Sequence, residues 1–395
     1  MATTVPAAEL ELTKDNLGEA HIVALAKCGD CAERRPLQEE GVPADGTTVA
    51  LALATYELDK TTNKRKGQIV PCTVAIAQDS ACDQSPKYKL CPQTDVADLA
   101  GVFDIKWSAD GNMLASAHAD GTCQVRTVAS LHEATPLAAA QLQTKDDEEE
   151  VEASESCFCL SLDWNDRAGC APGEAKLAVS RSDGKLSVLA MRSDGLEAVH
   201  TWDAHAYPGP APAEVWITAF DCFDPQVLIS GADEAKLKLW DQRVGTDMPL
   251  GVCNVHDAGV CSAQFHPRKP NIFATGSYDS HVRIWDKRNL KKPTLEPLDT
   301  SGGVWRVKWH PTDDDRLLVA AMRSGFIETK ISTSNAKLEP LRFYRDNFEP
   351  GRWEALGYGV DWLRVRGQPA DLVVGASFYD RKGYLFSPTQ CTAVQ

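Results

Sequence analysis

Positive charge is scarce in this chain: 41 Lys and Arg stand against 56 Asp and Glu, a formal net charge of −15 over 395 residues. So acidic a surface repels a phosphate backbone, so no direct nucleic-acid partner is expected and a basic protein surface is the easier one to bind. Long apolar runs are missing too. No stretch approaches the roughly 18 consecutive apolar residues that a spanning helix needs, so no membrane partner is expected. The first residues, Met1-Ala2-Thr3-Thr4-Val5-Pro6, have neither the basic start nor the apolar run of a signal peptide, and the expected compartment is the cytoplasm. The 13 Cys are scattered and odd in number, which suits free thiols in a reducing compartment rather than a disulfide framework. Cys28-Gly29-Asp30-Cys31 has CxxC spacing but no second pair at zinc-ribbon distance, so neither a metal nor a cofactor is expected.

Enzyme signatures are equally sparse. There is no G-x-S-x-G elbow, no H-E-x-x-H, no P-loop and no G-x-G-x-x-G. Gly302-Gly303 precedes a strand-like run rather than a helix, which argues against a phosphate cradle.

What the chain does have is an internal repeat. Val260-Cys261-Ser262-Ala263-Gln264-Phe265-His266-Pro267 matches Val304-Trp305-Arg306-Val307-Lys308-Trp309-His310-Pro311. Each is followed by an apolar strand, a small-residue turn and a second apolar strand. An aromatic closes the first strand of each unit: Trp107, Trp164, Phe220, Phe265, Trp309 and Trp362, at spacings of 57, 56, 45, 44 and 53 residues. That is the period of a four-stranded blade of roughly 40–45 residues with some loop insertions. Strands near Val49–Leu58 and Ile69–Ala77 supply one more unit. The expectation is an all-β, seven-bladed WD40 β-propeller over residues 46–390. Residues 1–45 are read as an N-terminal segment that completes a blade, with Glu9–Ala26 either a strand or a short helix. The block Lys145-Asp146-Asp147-Glu148-Glu149-Glu150 marks an acidic insertion near 143–156, either a solvated loop or an electrostatic arm.

In the fifth blade His256, Ser277, Asp279 and Trp285 match a WD-repeat tetrad, in which buried polar groups satisfy one another. These residues are therefore read as structural. Asp120, Asp183 and Asp380 fall in the corresponding tight turns. The same face carries Trp216, Trp305, Arg306, Arg323, Tyr358 and Tyr379, with His205 and Glu214 just upstream. Trp216, Trp305 and Tyr358 each lie four residues before their blade's aromatic. Parity puts them in the inter-blade core, unless a bulge re-aims them to the channel mouth. Arg306, at odd separation, has the better claim to the mouth.

Residues from about Trp202 to Asp380 resemble the diphthine methylesterase family of WD-repeat enzymes. The segments that carry the resemblance are Trp202-Asp203-Ala204-His205, Glu214-Val215-Trp216, Ser230-Gly231-Ala232-Asp233, Gly302 to Pro311, Tyr358-Gly359-Val360-Asp361-Trp362 and Ser377-Phe378-Tyr379-Asp380. The family's His ahead of the Tyr-Gly-x-Asp-Trp segment is absent, with Arg352-Trp353-Glu354 in that region. Its paired Asp after Ser-Gly-Gly reads Asp233-Glu234 after Ala232. The resemblance implies hydrolysis of the methyl ester on methylated diphthine, a modified histidine of translation elongation factor 2; a monomer is expected. A quaternary ammonium beside that ester calls for aromatic faces and a carboxylate. Trp305, Tyr358 and Tyr379 are the candidate cage, Asp361 or Glu214 the anion, and Arg323 a further substrate contact. His205 is either the general base, oriented by Glu214, or a tetrad histidine of another blade. Arg306 is an oxyanion or docking group. The rival reading is a non-catalytic scaffold or adaptor for a protein-modification complex.

Overall fold

The computed structural model describes residues 3–4, 7–11, 32–34, 51–77, 87–93, 96–131, 133, 135–142, 157–170, 174–193, 195–209, 211–332, 334–344, 356–364, 371–377 and 382–386. These form seven sheets, one per blade. The innermost strands of blades 2 to 7 are Val102–Trp107, Cys159–Trp164, Val215–Phe220, Val260–Phe265, Arg306–Trp309 and Gly357–Leu363, each ending at or beside the aromatic that marked the repeat. Each pairs with the next strand of its own blade, and the strands follow chain order outward from the axis. The seven-bladed propeller read from the repeat is the fold of this chain.

The N-terminal strands join three different blades. Thr3–Thr4 runs parallel to the outer strand of blade 6, and Ala7–Glu11 pairs antiparallel with Lys382–Phe386 as the outermost strand of blade 7. Ala32–Arg34 pairs with Leu51–Ala54 and sits beside the inner strands of blades 2 and 7, in the inner position of blade 1. The expected pair near Val49–Leu58 and Ile69–Ala77 therefore supplies the middle of that blade, not its innermost strand. Glu9 and Glu11 lie in a strand, while residues 12–26, Cys28, Cys31, the acidic block and Asp380 lie outside the described residues. Joining first and last segments in one sheet removes a free edge, which is how a ring of sheets closes.

The marker aromatics also stitch blades together. The Trp164 indole N–H donates to the Lys106 carbonyl at 3.0 Å, Trp309 to Gln264 at 3.1 Å and Trp362 to Lys308 at 3.2 Å. In each case the acceptor is the residue just before the preceding blade's aromatic. Neighbouring inner strands therefore run in the same direction around one axis.

An inner strand has no partner on its axial side, so its N–H groups need acceptors. Side chains from the preceding blade supply them. Leu162 donates to Asp104 at 3.2 Å, Phe220 to Asp163 at 2.9 Å, Val307 to the Ser262 hydroxyl at 3.0 Å and Trp309 to the Gln264 amide oxygen at 2.7 Å. Much of the polar lining of the axis thus serves the ring itself.

Candidate functional site

One position of the inner strand breaks the ladder in blade after blade. Phe103, Leu160, Trp216, Cys261 and Tyr358 each lack a cross-strand partner, with a register shift around them. Trp305 sits just ahead of the inner strand of blade 6. A bulge inserts one extra residue and re-aims it. These six side chains, taken from blades 2 to 7, meet in a single buried cluster with Tyr56 of blade 1 packed against it. Only the axis can bring seven blades to one place. The cluster lies where the inner strands begin, here termed the upper end.

The bulges overturn the parity argument for the aromatics. Trp216, Trp305 and Tyr358 do not share a layer with Phe220, Trp309 and Trp362, which pack in three separate inter-blade clusters. They form instead a floor across the upper mouth, between 4% and 8% exposed. Trp305 is its centre: ring centroids lie 5.1 Å from Tyr358 edge-on, 6.1 Å from Trp216 and 6.4 Å from Tyr278 edge-on. Tyr278 is 55% exposed and reaches the floor from the rim. The Trp305 indole N–H is buried without a hydrogen-bond partner among the described residues. The Trp216 indole donates to Asp233 Oδ1 at 3.2 Å, and the Tyr207 hydroxyl donates to Asp233 Oδ2 at 2.5 Å. That second bond, with the nearby carboxylates, holds the Tyr207 phenol up at about 12. The Asp233 N–H in turn donates to the Glu214 carbonyl at 3.0 Å, so Glu214 stands beside it.

His205 occupies a different environment from the one a base requires. Its side chain is fully buried. Nδ1 lies 2.8 Å from Glu234 Oε1 and Nε2 2.7 Å from the Ser230 hydroxyl, which also accepts the Trp240 indole N–H at 2.8 Å. A carboxylate accepts only, so Nδ1 carries the proton and Nε2 accepts from Ser230. Trp240, Ser230, His205 and Glu234 are therefore a complete WD tetrad. The orienting carboxylate is Glu234, not Glu214. Burial lowers the pKa of His205, against the pull of Glu234.

The tetrad of blade 5 also differs from expectation. Its relay is Thr275, whose hydroxyl accepts from the Trp285 indole at 2.8 Å and meets His256 Nε2 at 3.0 Å. Ser277 donates to the Ala258 carbonyl, and Asp279 holds Arg283 and the N–H groups of Asp257 and His281. In both tetrads the relay hydroxyl precedes its Trp by ten residues, a spacing that would have chosen Thr275 over Ser277.

Two further expectations are corrected by depth along the axis. The Arg306 side chain is 2% exposed, below the aromatic floor, with Nη2 3.9 Å from Asp104 Oδ1. It is an axial charge rather than a docking group at the mouth. Burial raises the carboxyl pKa of Asp104, with Arg306 opposing the shift. Asp361 lies lower still, with Oδ2 3.7 Å from Lys308 Nζ and lining a cavity at the other end, so it is not the anion of the aromatic mouth. Arg323 is exposed in the turn that follows Ala321 and Met322 on the upper face. Tyr379 lies outside the described residues. The functional residue that sequence reasoning missed is Asp233, which appeared there only within a segment carrying the family resemblance and as a departure from the family's paired Asp. Its one signal was a second carboxylate beside the tetrad acid.

The WD domain, G-beta repeat family matches residues 91–126 and 248–286. The human protein named diphthine methyltransferase is 32% identical, the match covering 89% of this chain and 79% of that protein. The protein of that name from Schizosaccharomyces pombe is 28% identical, over 84% of this chain and 89% of its own length. Among solved structures, a chain from the crystal structure of the mitotic checkpoint complex superposes with a TM-score of 0.61 over 98% of this chain and 92% of that one. At 15% identity it speaks for the fold alone. A seven-bladed WD propeller with this extent of similarity to the human protein belongs to the diphthine methyltransferase family.

Proposed function

We propose that this chain hydrolyses the methyl ester of methylated diphthine on translation elongation factor 2, releasing diphthine and methanol. One observation carries the reading: a carboxylate, Asp233, is pinned by Trp216 and Tyr207 at the edge of a floor of touching aromatic rings. Aromatic faces beside an anion suit a quaternary ammonium, at about 1–2 kcal/mol per desolvated contact. With the ammonium against Tyr278 at the rim, the adjoining ester lies over Trp305, and a turn of that side chain on binding brings its buried, unpartnered indole N–H to the carbonyl oxygen as it becomes an oxyanion. Glu214, whose backbone carbonyl accepts the Asp233 N–H, supplies the carboxylate that takes the proton of the attacking water. An ester next to a fixed positive charge is already electrophilic, so no activated serine or cysteine is needed. Arg323, exposed on the same face, is a docking contact for the elongation factor.

The test is methanol release, with loss of one methylene from the mass of methylated elongation factor 2. Trp305→Phe keeps the ring and removes the donor, so kcat falls by about a hundredfold with little change in KM. Asp233→Asn raises KM about tenfold. The engagement of both His205 nitrogens favours a second reading, the non-catalytic scaffold. No methanol from the wild-type protein, under conditions where it binds the factor, establishes the scaffold and rejects the esterase.

A further inference from the structure

Directly after Tyr56, which packs against the aromatic floor, blade 1 sends out a hairpin of the strands Glu57–Asp59 and Lys64–Ala77. The first turn of its return strand carries the basic run Lys64-Arg65-Lys66. Successive strand residues face opposite ways, so only the middle residue of that run turns to the mouth. The root of the hairpin is fixed to blade 2. The Gly101 N–H donates to the Arg65 carbonyl at 3.0 Å, and the Val102 N–H to the Thr55 carbonyl at 3.1 Å. A Cβ on Gly101 would stand 2.6 Å from the Tyr56 ring and 3.3 Å from Arg65 Cβ, so a bare glycine lets both side chains lie there. The Arg65 guanidinium crosses to blade 3, with Cζ 4.5 Å from the centre of the Phe158 ring, and its Nε donates to the Tyr56 hydroxyl at 3.0 Å. Tyr56 and Phe158 flank Phe103 of the floor, at centroid distances of 5.1 and 5.7 Å.

Stacking occupies the face of a guanidinium and leaves the donors at its edge free. Nη1 and Nη2 of Arg65 have no hydrogen-bond or ion-pair partner among the described residues, and the side chain is half-buried. A planar pair of donors, held by Tyr56 and Phe158, therefore stands on the side of the mouth formed by blades 1 to 3. The side formed by blades 4 and 5 carries the opposite charge, Asp233, with the exposed Tyr278 ring. We infer that the upper mouth is a site for a zwitterion, with a quaternary ammonium against Tyr278 and Asp233 and the adjoining carboxylate received by the Arg65 fork. The inference rests on the reading of the mouth as an ammonium site, and it names the form of the ligand that is held best. An ionised carboxylate pairs with a guanidinium more strongly than a neutral ester does. The free acid that ester hydrolysis produces is therefore bound more tightly than the ester itself.

The probes are betaine, in which a trimethylammonium adjoins a carboxylate, and tetramethylammonium, which has no carboxylate. Both are titrated at fixed ionic strength and followed by tryptophan fluorescence. The wild-type protein binds betaine about tenfold more tightly than tetramethylammonium. Arg65→Met keeps the stem and removes the fork, so betaine falls to the affinity of tetramethylammonium while the latter is unchanged. A merely structural loss would weaken both probes alike. Tyr56→Phe frees the guanidinium to turn and lowers betaine affinity alone, by a smaller factor. Lys64→Met, exposed and on the opposite face of the strand, leaves both unchanged. Should Arg65→Met fail to fold, the wild-type preference and Tyr56→Phe still decide. Equal wild-type affinity for the two probes, a preference that survives Arg65→Met, or no binding of either at tens of millimolar would overturn the inference. A betaine preference without methanol release from methylated elongation factor 2 rejects the esterase alone, and methanol release without that preference rejects the zwitterion site alone.

Discussion

Replacing His205 by Ala separates a structural histidine from a catalytic one. The imidazole sits between Glu234 and Ser230 at 2.8 and 2.7 Å, with the Trp240 indole behind Ser230. The bond to the ionised Glu234 is worth about 1.5–3 kcal/mol and the neutral one to Ser230 about 1 kcal/mol. The substitution also leaves the Glu234 carboxylate, 2% exposed, facing Lys236 at 2.6 Å and Lys238 at 3.5 Å. Those two lysines limit the further cost, so the expected loss is about 3–5 kcal/mol. The assay is urea denaturation read by tryptophan fluorescence, alongside methanol release measured well below the shifted midpoint. A large drop in stability with near-normal turnover of the folded protein is expected. Unchanged stability with abolished turnover would refute the tetrad assignment and return His205 to the chemistry.

Thr275→Val should cost about 1–3 kcal/mol, because it strands the Trp285 indole and His256 together; Ser277→Ala, which gives up a single bond to Ala258, should cost about 1 kcal/mol in the same denaturation series. Gly184 has φ +79°, and a Cβ there would stand 2.3 Å from the His205 carbonyl oxygen, so Gly184→Ala should destabilise by more than the simple φ > 0 penalty of about 1 kcal/mol. Burial lowers His256 from 6.5 to about 3 and His118 to about 4, so the unfolded chain binds protons first. Their contribution is intact above pH 6.5 and is lost as pH falls towards 3–4, which a pH series of denaturation midpoints reads directly. Glu234, held at about 2 against a usual 4.5, adds a loss of the same sign below pH 4.5.

The repeat was legible because it rests on local requirements. A Trp at 164, 309 and 362 does two jobs, filling the space between blades and donating its N–H to the blade before, and both leave the same residue type at the same place. Asp120 and Asp183 were read correctly as turn formers, accepting the Thr122 and Lys185 N–H groups at 3.0 and 3.2 Å. The site was less legible. Even spacing from Trp216 to Phe220, from Trp305 to Trp309 and from Tyr358 to Trp362 pointed to the inter-blade core, with a bulge as the one alternative that could bring these aromatics to the mouth. A bulge costs no residue type and leaves no mark in composition. Arg306 was placed at the mouth on spacing and Asp361 as the anion through the family resemblance, though depth along an axis is set by which strand neighbours which.

The sequence alone determined the repeat, its seven units, the aromatic register and the family resemblance, because each follows from the alternation of short strands and from what a single blade needs to pack. Tertiary structure alone decided which carboxylate serves His205, that Trp216, Trp305 and Tyr358 join around the axis, and that Arg65 of blade 1 lies over Phe158 of blade 3. Ring closure makes those contacts, and it brings together residues whose separation along the chain carries no information about their distance in space.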